Sequence, residues 1–340
     1  MPAWIRDRPR PGEAVNETLS PPIGIGLYGD NGHQIFRQVG EDPRARLVAF
    51  AGFPRGRLPE ALRTPSDVRE YPSLDALLTD PHVHLVSLCS PRRDQQAQDA
   101  LRCLEAGRHV YAEKPCALRE EDLDAILDTA RRRGLRFHEM AGSAFEQPYR
   151  EMGRLVRSGC LGTIVQVFAQ KSYPWHERRP ADEGVDGGLL CQVGIHAVRF
   201  IEHLTGLRVL DVMAMETRTG LEDTPGDCRR ASQMMMRLSN GGLALALANY
   251  LHPHAAFGSW GNEHVRIFGT RGFVESVDAG ARTRLVLLDR DAGPLHPTEP
   301  SLDWFRCFLD ELTGQGGFPV TLEEELHPTR VVIRAKQTAR

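Results

Sequence analysis

Residues 84–115 read HLVSLCSPRRDQQAQDALRCLEAGRHVYAEKP, and their pattern decides the fold class. An apolar run, His84–Ser90, ends at Ser90-Pro91. A stretch with apolar residues three and four apart, Asp94–Ala106, follows and stops at Gly107. A second apolar run, His109–Lys114, ends in Glu113-Lys114-Pro115. Strand, helix and strand with short links make a parallel unit, because the helix carries the chain back to the edge it left. Glycine directly after the last helical turn suits a left-handed cap.

Reading outward, Ile23–Gly29 and Leu47–Phe53 repeat the strand pattern upstream. Downstream come a helix over Glu121–Arg133, stopped by Gly134, and a strand over Arg136–Met140. The acidic start and basic end of that helix complement its dipole. Residues 23–144 are thus predicted to be a Rossmann-type α/β domain, with ligands at the carboxyl ends of its strands. Residues 1–22 carry arginines and prolines but no apolar run, and read as a loose arm rather than a secretory signal.

Past residue 145 the pattern changes. After a helix and a long strand, Thr163–Lys171, a helix is predicted over Gly188–Leu204. Strands then follow directly: Leu207–Thr217, Gln233–Leu238, Leu243–Leu251, Glu263–Phe268, Phe273–Val277 and Arg282–Leu288. Ser239-Asn240-Gly241-Gly242 is a hairpin turn, as Asn-Gly tolerates positive φ, and Thr270-Arg271-Gly272 reads as another. Residues 145–340 are predicted to be an α+β domain with a large, mostly antiparallel open sheet. Two helices close the chain, Leu302–Thr313 and His327–Thr338, with Pro328 expected in the first turn of the latter. The last helix is expected to pack back on the first domain.

Composition limits the partners. The 340 residues carry a net charge of -3, which argues against nucleic acid or an anionic membrane surface. No apolar run approaches the ~18 residues a spanning helix needs. Seven scattered cysteines with no CxxC pair favour reduced thiols in the cytoplasm over disulfides or zinc. Only Lys114, Lys171 and Lys336 are lysines among 42 basic residues. A chain this rich in Arg keeps Lys where a compact, titratable ammonium is useful; chance survival on the surface fits Lys171 and Lys336 better than Lys114. His252-Pro253-His254 lacks a third ligand, so no metal site is expected.

The phosphate turn is Gly29-Asp30-Asn31-Gly32-His33-Gln34, after the first strand and opening a helix over His33–Val39. Asn31 stands in for a glycine because Asn tolerates left-handed geometry. The literal GxGxxG, Gly24 to Gly29, lies inside the strand and is rejected. After the second strand comes Phe53-Pro54-Arg55-Gly56-Arg57, with no acid for a ribose 2′-hydroxyl. Arg55 and Arg57 suit a 2′-phosphate, hence NADP rather than NAD; their other reading is solvated loop charge.

The order of several short motifs resembles the Gfo/Idh/MocA oxidoreductases. They are Ser90-Pro91 leading through Ala106-Gly107 to Ala112-Glu113-Lys114-Pro115; Leu155–Gly159 followed by Leu161-Gly162; Gly187-Gly188 through Gly194-Ile195-His196; and Val265–Gly272 with Glu275 after it. The likeness spans roughly residues 23–338. It implies a Rossmann domain binding NADP or NAD, a sheet domain used for homodimers or homotetramers, and hydride transfer at a sugar-like carbon. On that resemblance Lys114 polarises the reacting oxygen and His196 accepts the proton. Gly29, Asn31, Gly32, His33, Arg55, Ser90, Pro91, Glu113 and Lys114 would line the cofactor. Trp175, His176 and Arg199 would meet the substrate.

Two positions depart from the family. Gln192 stands one turn before His196 where Asp is usual, and Arg199 stands three residues after it where Asp is common. Gln192 is expected to share a helical face with His196 and to bond substrate, though it cannot carry a proton. Arg199 would bind an anionic substituent, or lie on the surface. The departures keep two alternatives open: a redox-neutral glycosidase or lyase recycling a bound NAD, and a non-catalytic nucleotide-binding protein.

Overall fold

The computed structural model describes residues 18–63 and 68–340, so most of the expected N-terminal arm lies outside the described residues. Six parallel strands form the first sheet: β1 (Ile23–Tyr28), β2 (Ala45–Ala51), β3 (Arg69–Tyr71), β4 (Leu85–Leu88), β5 (His109–Ala112) and β6 (Phe137–Glu139). Their order is β3-β2-β1-β4-β5-β6. Between them run α1 (Phe36–Glu41), α2 (Glu60–Arg63), α3 (Leu74–Leu78), α4 (Gln96–Glu105) and α5 (Glu120–Arg133). The order reverses between β1 and β4, where Leu27 lies opposite Ser87. Their crossovers leave in opposite directions, so a crevice opens at the strands' carboxyl ends.

Buried aliphatics explain both faces of this sheet. Val86, Leu88, Val110 and Ala112 pack with Ala100, Leu104, Leu123 and Ile126 of α4 and α5. Ile25, Leu27, Phe50 and Tyr111 face a layer closed partly by α10 (Trp304–Leu312). Phe305 and Phe308 of α10 lie 5.7 and 5.6 Å from the Tyr111 ring.

The second half opens with α6 (Tyr149–Arg157), β7 (Ile164–Ser172) and α7 (Glu183–Asp186), and continues into α8 (Ile195–Thr205). Strands β8 (Val209–Thr217), β9 (Ala231–Leu238) and β10 (Leu243–Asn249) come next. A short α9 (His254–Phe257) precedes β11 (Asn262–Gly269), β12 (Gly272–Val277), β13 (Arg282–Leu287) and β14 (Arg290–Gly293). The sheet order is β14-β13-β12-β11-β7-β10-β9-β8. Within this sheet only β7 and β10 pair in parallel among the described strands. Residues after both strands therefore emerge at the same end.

One face of this sheet packs on α6 and α8 through Val167, Met234, Met236 and Val265. The other bears Met213, Met215, Met235 and Leu243, which are exposed. The final helix, α11 (Leu322–Thr338), gives Leu326 and Ile333 to the first core and Val331, Val332 and Ala335 to the second.

Several expected bounds moved. The helix expected at His33 begins at Phe36 instead, because Gln34 turns its side-chain amide onto the Tyr28 and Gly29 carbonyls. The helix expected over Gly188–Leu204 is a π turn, Leu190–Gly194, running into α8. Pro328 lies inside α11 rather than in its first turn. The start is fixed earlier by a capping box between Thr321 and Glu324, a Thr-x-x-Glu signal that the sequence carries. β3 and β14, three and four residues long, carried too little apolar periodicity to be foreseen.

The join between the halves includes a buried imidazole. His138 Nδ1 lies 2.5 Å from Glu325 of α11, and Nε2 lies 2.7 Å from Glu311 of α10. Burial alone would depress this imidazole, but the two carboxylates outweigh it and push it up to about 9. A group raised in the folded state adds stability that is complete below its unfolded value, about 6.5. That stability is lost as pH rises through about 9. Denaturant unfolding should therefore show stability falling between neutral pH and about 9, with the slope reduced in His138→Gln. An unchanged slope in the variant would remove His138 as its cause.

Candidate active site

The carboxyl ends of β1, β4 and β5 converge with α8 and the end of β7. At β1, Gly29 (φ 70°) and Gly32 (φ 142°) adopt the left-handed backbone of the turn. A Cβ on Gly29 would strike the Cys89 carbonyl at 2.0 Å, and one on Gly32 the Glu113 side chain at 2.5 Å. A side chain at either position would disrupt the turn. Gly24 has a different duty: its Cβ would hit the His82 carbonyl at 1.8 Å, a packing constraint inside β1.

Glu113 leaves β5 buried beneath this turn. Its carboxylate accepts the His33 backbone N–H at 2.5 Å and contacts His33 Nδ1 at 2.8 Å. Burial pushes the carboxyl up, yet His33, Lys114 and Arg93 hold it down at about 2. The fixed anion thus braces the turn from below, and the His33 amide is already engaged. The expected helix N-terminus is absent here, since α1 starts three residues later and spans six. Positive-φ glycines at the sheet's switch point, with the exposed His33 ring and Arg57 beside them, still fit a dinucleotide phosphate.

Asn31 and the Ser90-Pro91 corner meet. Asn31 donates to the Pro91 carbonyl at 3.2 Å and to Val185 of α7 at 2.6 Å, tying the second half over the turn. Ser90 Oγ donates to Asp99 of α4 at 2.6 Å and is buried, so it anchors the corner rather than facing the crevice. Arg55 is drawn off: it lies 3.5 Å from Glu70, bonds the Val68 carbonyl at 3.3 Å and covers Phe50. Arg57 instead reaches Asp30 of the turn at 3.2 Å, which makes it the nearer cation.

Lys114 follows β5 and precedes Pro115 through a cis bond. Its side chain is 4% exposed and donates to the Gln192 carbonyl at 2.9 Å. The π turn over Leu190–Gly194 offsets the helical ladder and offers that carbonyl. Burial lowers the ammonium to about 8, with Arg93 and Lys171 pushing the same way against Glu113 and Asp186.

His196 sits in the first turn of α8. Its Nε2 lies 3.3 Å from the Tyr173 hydroxyl and its Nδ1 3.5 Å from Ser143 Oγ. Burial depresses it well below the usual histidine value, and Lys114, Lys171 and Arg199 add to the effect. The imidazole is therefore neutral. Tyr173 links it to Lys114, whose Nζ stands 5.8 Å from the Tyr173 ring centre.

Gln192 does not pair with His196. Its side-chain oxygen accepts the Tyr250 hydroxyl at 2.9 Å, because the π turn rotates it off the expected face. Trp175 packs 6.1 Å from Tyr250 and beneath Arg230, whereas His176 lies 5.9 Å from Trp260. Two residues near the centre were not singled out from sequence, Ser143 and Asp186; Tyr173 and Lys171 also come close to it. Lys171 pairs with Glu263 in a buried contact. Asp186 is buried, accepts Gly188 N–H at 2.9 Å and is raised by desolvation. The lysine bias pointed to Lys171, but the reading of it as a chance surface survivor is wrong, since the residue is 7% exposed.

Arg199 corrects the expectation of a substrate-binding or surface residue. It is 0% exposed, pairs with Glu139 at the end of β6 and donates to the Ala141 carbonyl at 3.2 Å. Glu139 also accepts Cys116 N–H at 2.6 Å and Thr329 Oγ1 at 2.9 Å. The family's Asp is exchanged for an interdomain ion pair one turn beyond His196. The His252 ring contacts the Ser259 carbonyl at 2.9 Å.

Comparisons with known proteins agree with this geometry. Residues 23–140 match a model described as "Oxidoreductase family, NAD-binding Rossmann fold", and residues 149–275 match "GFO/IDH/MocA C-terminal domain". A trans-1,2-dihydrobenzene-1,2-diol dehydrogenase from Macaca fuscata fuscata is 28% identical over 209 residues, 59% of this chain. That match spans only 61% of the relative's length. A myo-inositol 2-dehydrogenase from Thermotoga maritima is 22% identical over 78% of this chain and 77% of its own. Among solved structures, an oxidoreductase from Thermotoga maritima has TM-score 0.79 and 26% identity, covering 93% of this chain and 97% of that one. An aldose-aldose oxidoreductase from Caulobacter crescentus has TM-score 0.76 at 22% identity over the same shares, a likeness of fold.

Removing one partner of the Arg199–Glu139 pair leaves a buried charge uncompensated. Arg199→Met should cost about 3–5 kcal/mol in denaturant unfolding, and the double change with Glu139→Gln should recover much of it. A single variant within about 1 kcal/mol of the parent would show that the charge is relieved some other way.

Proposed function

The chain belongs to the Gfo/Idh/MocA oxidoreductase family, and on that ground we propose that it is an NAD(P)-dependent dehydrogenase or reductase acting at a CH–OH carbon of a sugar, polyol or related diol. The observation that carries this reading is the meeting of Lys114 and His196 at Tyr173, beside the sheet's switch point. Two relatives bear the names of dehydrogenases of an aromatic diol and of inositol, which supports the substrate class.

A bound nicotinamide would supply the hydride acceptor or donor. The chain's own residues do the rest. Lys114, buried and cationic below pH about 8, would hold the reacting oxygen and stabilise negative charge developing on it. His196, neutral and bonded to Tyr173 and Ser143, would accept the hydroxyl proton as the C–H bond breaks. In the reverse direction it would return that proton. Low exposure around both groups keeps water from competing. Gly29, Asn31, Gly32, His33 and Pro91 would border the cofactor, with Arg57 rather than Arg55 favouring NADP over NAD.

Residues 23–144 would serve as the nucleotide half and 145–340 as the substrate and assembly half. No described helix is long and apolar enough to cross a membrane. Seven free cysteines fit a reducing, cytoplasmic setting. The exposed Met213, Met215, Met235 and Leu243 support a homodimer or homotetramer through the second sheet. Met235→Glu should then lower the sedimentation mass to that of a smaller species; an unchanged oligomer would exclude this face.

Purified protein should reduce NAD(P) with myo-inositol, an aldose or trans-1,2-dihydrobenzene-1,2-diol. Its kcat/KM should fall as pH rises through about 8, as Lys114 loses its proton, with no acid limb near the ordinary histidine value. Lys114→Ala and His196→Ala should each lose about 10²–10⁴-fold in kcat while still binding dinucleotide. Full activity in either variant would sink the assignment.

A further inference from the structure

β7 and β10 run parallel, so the segments after them share one rim. The β7 side delivers Tyr173, whose hydroxyl touches His196 at 3.3 Å. The β10 side delivers residues 250–261, a loop containing Leu251, Phe257 and Trp260. Trp260 lies 6.5 Å from Tyr173, 5.9 Å from His176 and 6.0 Å from His254. A row of rings thus leads outward from the reacting centre. It ends in Trp260, which is 55% exposed, with Leu251 and Phe257 also exposed on the same loop.

Two polar groups beside this row are already engaged. Lys171 is paired with Glu263 and stands 5.0 Å from the Tyr173 ring centre. The His252 ring contacts the Ser259 carbonyl. The largest exposed surface left on this rim is the face of Trp260. A small polyol would reach Lys114 and His196 and gain little from Trp260. A ring carried on the reacting sugar or diol would cover that surface.

We propose that Tyr173, His176 and Trp260 form an aromatic subsite that takes an apolar ring borne by the substrate, such as the aryl group of an aryl glycoside. The inference rests on the assignment of Lys114 and His196 to the reacting carbon. It adds that the substrate extends outward from that carbon over Trp260. Stacked or edge-on rings contribute about 0.5–1.5 kcal/mol beyond the area they bury, so a preference of about tenfold is expected.

The test uses full-length protein loaded with NAD(P) and titrated calorimetrically with methyl and phenyl glycosides of glucose, galactose, mannose and xylose. At least one phenyl glycoside should bind about tenfold more tightly than its methyl partner. Trp260→Ala should erase that ratio and Trp260→Phe should keep most of it; the exposed position makes misfolding no obstacle. Equal ratios in all three proteins, or no glycoside bound at all, would overturn the subsite. So would a Trp260→Ala variant that changes oligomeric mass instead of the ratio, since the rim would then be a subunit contact. Dinucleotide binding, measured in the same protein, separates the two claims. A chain that binds NAD(P) without preferring phenyl loses only the subsite, whereas one that binds no dinucleotide loses the wider reading.

Discussion

A carboxylate held without water organises the join between the halves. Glu139 ends β6 with its side chain fully buried, where an unpaired charge would be ruinous. It survives because three segments supply donors to the carboxylate, Arg199 from α8, Cys116 N–H after β5 and Thr329 from α11, while Trp304 of α10 donates to the backbone carbonyl of the same residue. Each donor belongs to an element that must stand in place for the others to bond. The buried anion thus ties elements of both halves together at one point.

The proposed chemistry inherits that precision. His196 precedes Arg199 by one turn of α8, while Ser143, beside His196, follows Glu139 by four residues. Lys114 ends the neighbouring strand and is held by the Gln192 carbonyl. The proposed catalytic pair thus draws one member from each half, yet both members are tied within a few bonds of the same buried contact. Burial keeps Lys114 near the point of losing its proton and His196 neutral. Such tuning is worth little unless the separation of the two groups is fixed.

The parallel sheet was legible because β1, β2, β4 and β5 are mostly apolar and α4 and α5 stop at glycines. Gly107 and Gly134 both fall at left-handed caps. The second sheet was legible from alternation and an Asn-Gly turn. Lys114 and His196 could be singled out because short motifs fixed their order. The roles of Arg199 and Arg55 could not, because a charged side chain carries no sign of which way it points. Arg199 finds its counter-charge 60 residues away in sequence, and no local pattern encodes that. Trp260 was missed for a related reason: its proposed role rests on its closeness to Tyr173, which follows a strand distant in sequence. The π turn was invisible too, since widening one turn changes no residue's identity.

Helix α11 feeds side chains to both cores, Leu326 and Ile333 to one and Val331 and Val332 to the other. The nucleotide-binding half is therefore incomplete when its last strand leaves the ribosome. It must wait, with a raw apolar groove, until nearly two hundred further residues have been synthesised. The first core is thus completed by a helix that carries none of the proposed catalytic groups.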